Sequence, residues 1–89
     1  MFIVINKCYG GFHIPEALCE ACGLSSYDDI ARDDLRLVEF VQEQGGDYRE
    51  GCSRLVVVEV PEEATDWELD EYDGFESIIY VVDGKLYHT

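Results

Sequence analysis

Leu55-Val56-Val57-Val58-Glu59-Val60-Pro61 is the stretch that decides the fold class. β-Branched residues fill it, and their stiff side chains suit the pleated surface of a strand. Pro61 cannot donate to a ladder and ends it. Immediately upstream, Asp47–Ser53 reads as a polar loop, preceded by Gly45-Gly46. Those glycines stop the best helical pattern in the chain, which starts at Asp33 as N-cap. Leu35, Leu37, Val38, Phe40 and Val41 are its expected inward residues.

Further toward the N-terminus, Phe2–Asn6 is apolar enough to be a strand buried on both faces. Cys8-Tyr9-Gly10-Gly11-Phe12 follows as a tight turn, in which paired glycines permit positive φ. Pro15 suits the first turn of a second helix, running to about Cys22 and stopping at Gly23. Ala17, Leu18 and Ala21 are its expected apolar stripe. Asp28–Ala31 reads as an irregular or short extended link.

Downstream of Pro61, Trp67 and Leu69 alternate with Glu68 and Asp70, the pattern of a half-exposed strand. Ile78–Val82 is another strand, and Asp83-Gly84 is a two-residue hairpin signal leading into Lys85–His88. Asp73-Gly74 is a second such turn, with a short helical turn over 74–77 as the alternative. Together these elements predict a single α+β domain spanning residues 1–89, with two helices packed on one mainly antiparallel sheet of four to five strands.

Charge is the distinctive quantity. Twenty Asp and Glu oppose six Lys and Arg, a net −14, in a chain that is still 47% hydrophobic and therefore too apolar for a disordered acidic tail. Self-repulsion on this scale favours a monomer. Phosphate binding is excluded as a main function, because few cations are present to neutralise a row of phosphates. An anionic membrane surface is disfavoured for the same reason. The natural partner is basic, and nucleic-acid-binding proteins are the largest such class. Phe2–Ile5 is too short for a secretion signal and Ile78–Val82 too short to span a bilayer, so a cytoplasmic location is expected, with Cys8, Cys19, Cys22 and Cys52 reduced.

The acids are uneven. Residues 55–89 carry ten acids and one base, and from Glu59 to Glu76 there are nine acids and no base. A folded chain of this mass exposes roughly 5,300 Å². Clustering on one face of about 1,000 Å² would bring those nine acids to the surface charge density of duplex DNA, which carries one charge per ~1.7 Å of axis. The competing reading is a solvated acidic face with no partner.

Motifs for chemistry are weak. Cys19-Glu20-Ala21-Cys22 is a lone C-x₂-C inside a helical pattern, without the second pair a structural zinc site needs. Setting Gly74 at the glycine of an EF-hand loop puts Leu69 and Tyr80 at the terminal ligand positions, so a calcium loop fails. His13 and His88 belong to no nucleophilic arrangement, and no cofactor is expected. The expectation is a protein that binds rather than catalyses.

Three motifs occur in order: Lys7-Cys8-Tyr9-Gly10-Gly11-Phe12, then Arg32-Asp33-Asp34, then Trp67-Glu68-Leu69-Asp70-Glu71-Tyr72-Asp73-Gly74. Over most of its length the chain resembles a group of small acidic proteins, largely uncharacterised, encoded in phages, prophages and their bacterial hosts. It departs from them at Ile14-Pro15, where Leu-Ser is expected, and at the C-terminal hairpin. The resemblance implies inhibition of host defence, since anti-CRISPR proteins and DNA mimics recur among small acidic phage proteins. It carries over no catalytic residues.

The resulting expectation is an acidic nucleic-acid mimic that blocks DNA binding by a basic protein or complex, in concrete form a CRISPR interference complex. The alternative is a small acidic adaptor or structural protein. The first candidate surface is Glu68, Asp70, Glu71, Asp73 and Glu76, with Tyr72 and Tyr80 as aromatic anchors. Asp28, Asp29, Asp33 and Asp34, grouped at a helix start, form the second.

Overall fold

The computed structural model describes every residue except Ser26 and Tyr27. In chain order the elements are β1 (Phe2–Asn6), α1 (Glu16–Cys22), α2 (Leu35–Glu43), β2 (Asp47–Glu50), β3 (Ser53–Glu59), β4 (Asp66–Tyr72), β5 (Phe75–Val82) and β6 (Lys85–His88). The class is α+β, but the strands form two three-stranded antiparallel sheets, ordered β1-β3-β2 and β4-β5-β6. This corrects the expected single sheet.

Two features underlie this division. Asp47–Glu50 is a strand rather than a polar loop: Tyr48 and Glu50 turn inward while Asp47 and Arg49 face water. Its polarity belongs to an edge position, so its alternation is easily read as loop. The second feature lies at the free edge of β1. There Val4 N–H donates to the Arg32 carbonyl at 2.8 Å and Asn6 N–H donates to Glu76 Oε1 at 2.8 Å. With these donors occupied, β1 offers no edge on which the C-terminal strands could pair, and they build their own sheet.

The result is three layers. Register places Val4 opposite Val57 and Ile3 opposite Val58, so alternate β1 residues face opposite ways. Val4 and Leu55 meet Ile14, Leu18, Leu37, Val38 and Val41 on the helical side. Ile3 and Ile5 meet Val60 and Ile78 on the side of the second sheet. Ile3, Val4 and Ile5 are completely buried, which is why this strand is apolar throughout.

Both helices occur where expected, with shifts in phase and cap. In α1 the inward stripe is Leu18 with half-buried Cys19 and Cys22, whereas Ala17 and Ala21 are exposed. The C-x₂-C spacing thus places both thiols against the core. Gly23 ends α1 in the left-handed conformation, φ 68°. In α2 the N-cap is Asp34, not Asp33; its carboxylate accepts from Arg36 N–H at 2.9 Å. Leu35, expected inward, is 71% exposed, because it lies roughly 120° from the centre of the Leu37–Val38–Val41 stripe.

Asp73-Gly74 and Asp83-Gly84 both form two-residue hairpin turns. φ is positive at both central residues of each: 52° and 87° in the first, 50° and 76° in the second. That is the type I′ geometry matching strand twist, and no helical turn forms at 74–77. The Cys8–Phe12 loop lies between the first of these turns and the β2–β3 turn. A Cβ on Gly10 would fall 2.2 Å from the Cys52 carbonyl oxygen, and one on Gly74 would fall 2.7 Å from Gly11 N. Only glycine allows these three turns to meet.

Candidate functional site: an acidic sheet face

Cross-strand register defines the two faces of the second sheet. Trp67, Tyr80 and Tyr87 form one row, Leu69 and Ile78 the next, and Glu71 and Glu76 a third. This is the inner face: Ile78 is fully buried, Trp67 and Tyr80 pack beside it, and Tyr80 stacks on Tyr87 with centroids 5.4 Å apart. The outer face has rows Asp66–Val81–Leu86, Glu68–Ile79–His88 and Asp70–Ser77, followed by Tyr72–Phe75 at the turn.

The outer face therefore has an ordered composition. Asp66, Glu68 and Asp70 project along β4 at alternate residues, about 6.7 Å apart. Beside them run Ile79 and Val81, half-buried, and Leu86, 73% exposed. A cleft of about 220 Å³ is lined by Asp66, Trp67, Glu68, Ile79, Val81 and Leu86. None of these three rows holds a Lys or Arg. Lys7 reaches the far end, 5.0 Å over the Phe75 ring, and His88 Nε2 lies 3.3 Å from Ser77 Oγ.

The expected surface residues separate accordingly. Glu68, Asp70 and Tyr72 share the exposed outer face, and Asp73 is exposed in the turn. Glu71 points to the opposite face and accepts from Gly74 N–H at 3.2 Å. Leu69, expected to be buried, is 38% exposed. Glu76 is not on the surface. It is 3% exposed, held by the Arg32 guanidinium and the Asn6 N–H. Arg32 in turn stacks on Phe12, its guanidinium carbon 3.6 Å from the ring centroid. A strand acid at a face-alternating position can be a structural buried carboxylate, and only the crossing of β5 over β1 decides that it is.

The base-free stretch is consequently not one face. Glu59, Glu62 and Glu63 line a separate cleft with Met1, Phe2 and Pro61. In the second candidate group, Asp34 is committed to capping and to Arg36, which holds its carboxyl below the ordinary range. Asp28 accepts from Ser25 N–H at 2.7 Å, while Asp29 and Asp33 stay exposed. The nine acids do not assemble into one patch at DNA density.

Sequence reasoning missed the apolar half of this face. The signal was present in Ile78-Ile79-Tyr80-Val81-Val82, whose continuous run makes both faces of β5 apolar. It also missed a larger cleft of about 520 Å³ lined by His13, Ile14, Glu16, Cys19, Glu50, Gly51 and Cys52. Two of its side chains, Glu50 and Cys19, are engaged. Glu50 accepts from Glu16 N–H at 2.9 Å and from the Tyr48 hydroxyl at 2.8 Å. Burial, with Asp28, Glu50 and Glu16 nearby, pushes the Cys19 thiol up, away from the nucleophilic thiolate. Among the described residues, no three His, Cys, Asp or Glu side chains are placed to hold a metal ion. Nor is any helix among them long and apolar enough to cross a membrane.

No family model, curated protein or solved structure matches this chain.

Proposed function

We propose that this protein works by binding, as a stoichiometric inhibitor that presents the outer face of the β4-β5-β6 sheet to a basic nucleic-acid-binding protein or complex and blocks its access to DNA. The supporting observation is the row Asp66, Glu68, Asp70 running beside Ile79, Val81 and Leu86, with no cation in the rows. The resemblance to small acidic phage proteins points to a host defence complex of the CRISPR interference type, met in the host cytoplasm.

Magnitudes decide how such a face binds. One acid per about 6.7 Å along β4 is half the linear density of a single DNA strand, which carries one charge per 3.4 Å of axis. Carboxylates alone position the protein on Lys and Arg of the target as phosphates do, and raise the encounter rate. Exposed ion pairs are each worth under about 1 kcal/mol. The apolar strip must supply the rest, as anchors do at protein interfaces.

The test is a competition assay of target complex against DNA across a salt series. Reversing Glu68 and Asp70 together with Asp66 to Lys is expected to abolish inhibition while the fold survives, since all three are exposed. Inhibition that persists through the reversals, or is indifferent to salt, would falsify the mimic. An adaptor is the second reading, favoured by the same apolar strip: an adaptor binds its partner and leaves DNA in place, so a ternary complex in that assay distinguishes it.

A further inference from the structure

The outer face of the second sheet is one layer short. Helices cover one side of the first sheet and the β4-β5-β6 sheet covers the other, yet among the described residues Ile79 and Val81 on the outer face of β5 belong to neither buried cluster and line an open cleft with the exposed Leu86. Sheets bury such a strip under a further element, most often a helix or another sheet.

Size and charge select the occupant. Eight residues of β5 and three strands at ~4.8 Å spacing give a face of about 26 by 15 Å, roughly 400 Å². A second copy of this chain would set another −14 domain, with the same acidic row, against this one, so charge argues against self-association. A single helix, 10–12 Å across and about 17 residues long, matches both dimensions. The acids lie on one side only: Asp66, Glu68 and Asp70 border the strip along β4, whereas β6 contributes Leu86 and His88.

We infer that this face is a docking site for an amphipathic cationic helix of a partner protein, its apolar stripe on Ile79, Val81 and Leu86 and its Lys or Arg flank along Asp66, Glu68 and Asp70. The inference rests on the functional reading above and adds the shape of what is recognised: a helix with cations along one border of an apolar stripe, not a generally basic surface.

The experiment is a titration of the isotopically labelled protein with two synthetic Leu/Lys peptides of about 17 residues, one with the leucines in a helical stripe and one with the same composition scrambled. At physiological salt the striped peptide is expected to become helical and to shift the amides of residues 66–70, 77–81 and 85–88. It should bind at least about tenfold more tightly than the scramble, since burying one Leu side chain is worth that factor. Leu86→Ser with Val81→Ser should weaken it about tenfold without lowering the melting temperature enough to unfold the domain. Should that pair prove unstable, Leu86→Ser alone carries the same test, because the side chain is 73% exposed. Equal binding of the two peptides overturns the helix site and leaves the charge reading standing. Shifts confined to the backbone of an outer strand would show strand addition instead, shifts at the His13–Cys52 cleft would place the site elsewhere, and no binding would reject it. The functional reading fails separately, when the Lys reversals leave inhibition of DNA binding intact.

Discussion

Asn6 is the residue on which the layers converge. Its Nδ2 donates to the Cys8 and Gly74 carbonyls, both at 2.8 Å, its Oδ1 accepts from Arg54 N–H at 2.9 Å, and its own N–H reaches Glu76. One fully buried amide thus ties the first strand to the glycine loop, the β4–β5 turn and β3. Asn6→Ala removes three side-chain bonds and leaves their partners unmet, so a loss of about 3 kcal/mol is expected; urea unfolding showing a loss under about 1 kcal/mol would contradict this. Two surface carboxylates give a pH signature. Hydrogen bonds from Arg36 and Arg54 hold the Asp34 and Asp47 carboxyls below the ordinary range. A depressed folded value means their contribution is fully present above the unfolded pKa of about 3.9 and is lost as pH falls through the folded value. The melting-temperature gap between the wild type and an Asp34→Asn, Asp47→Asn variant should therefore be constant from about pH 5 to 8 and close below about pH 4. A gap that does not narrow at all as pH falls from about 4 to about 2.5 would show that the charges do not matter. These pairs are exposed, so the gap is small.

At the scale of elements, two turns with the same dipeptide do different work. Both Gly74 and Gly84 have positive φ, but around Gly84 there is open space, while Gly74 abuts the backbone of Tyr9 and Gly11. Gly84→Ala is expected to cost about 1 kcal/mol of backbone strain. Gly74→Ala adds a clash with atoms that cannot retreat, a further ~1–3 kcal/mol. Equal destabilisation in thermal melts would mean the Gly10-Gly11 loop moves freely aside. The hairpins, the helix stop at Gly23 and the β3 strand were legible because each depends on a few adjacent residues. Strand β2 was not, since an edge strand with one wet side has a loop's composition. The inward face of α1 was off by one position, with Cys19 and Cys22 in place of Ala17 and Ala21. In α2 only Leu35 was wrongly included beside Leu37, Val38, Phe40 and Val41, because a short helix carries too few turns to average out a stray apolar residue.

For the whole molecule, like charge dominates. Among the described residues, three ion pairs engage Glu76, Asp34 and Asp47, leaving most of the twenty acids outside such pairs on a surface of 5,588 Å². Screening should therefore help more by damping repulsion than it harms by weakening three pairs. The melting temperature should rise by a few degrees between low salt and about 0.3 M NaCl, and a flat or falling curve would mean the acids are locally compensated. The row Glu68–Asp70, set beside Trp67 and Leu69 on the other face, was readable from strict alternation, a property of any strand. That Glu76 is interior, that Glu71 faces away, and that nine consecutive acids divide among separate surfaces was not readable. By itself the sequence determined the local elements and the sign of the surface, because turn chemistry, side-chain period and net charge are properties of neighbouring residues. Only the tertiary structure decided that there are two sheets and which acids share a face, because both follow from the closing of the β1 edge by Arg32 and Glu76, contacts between residues far apart in the chain.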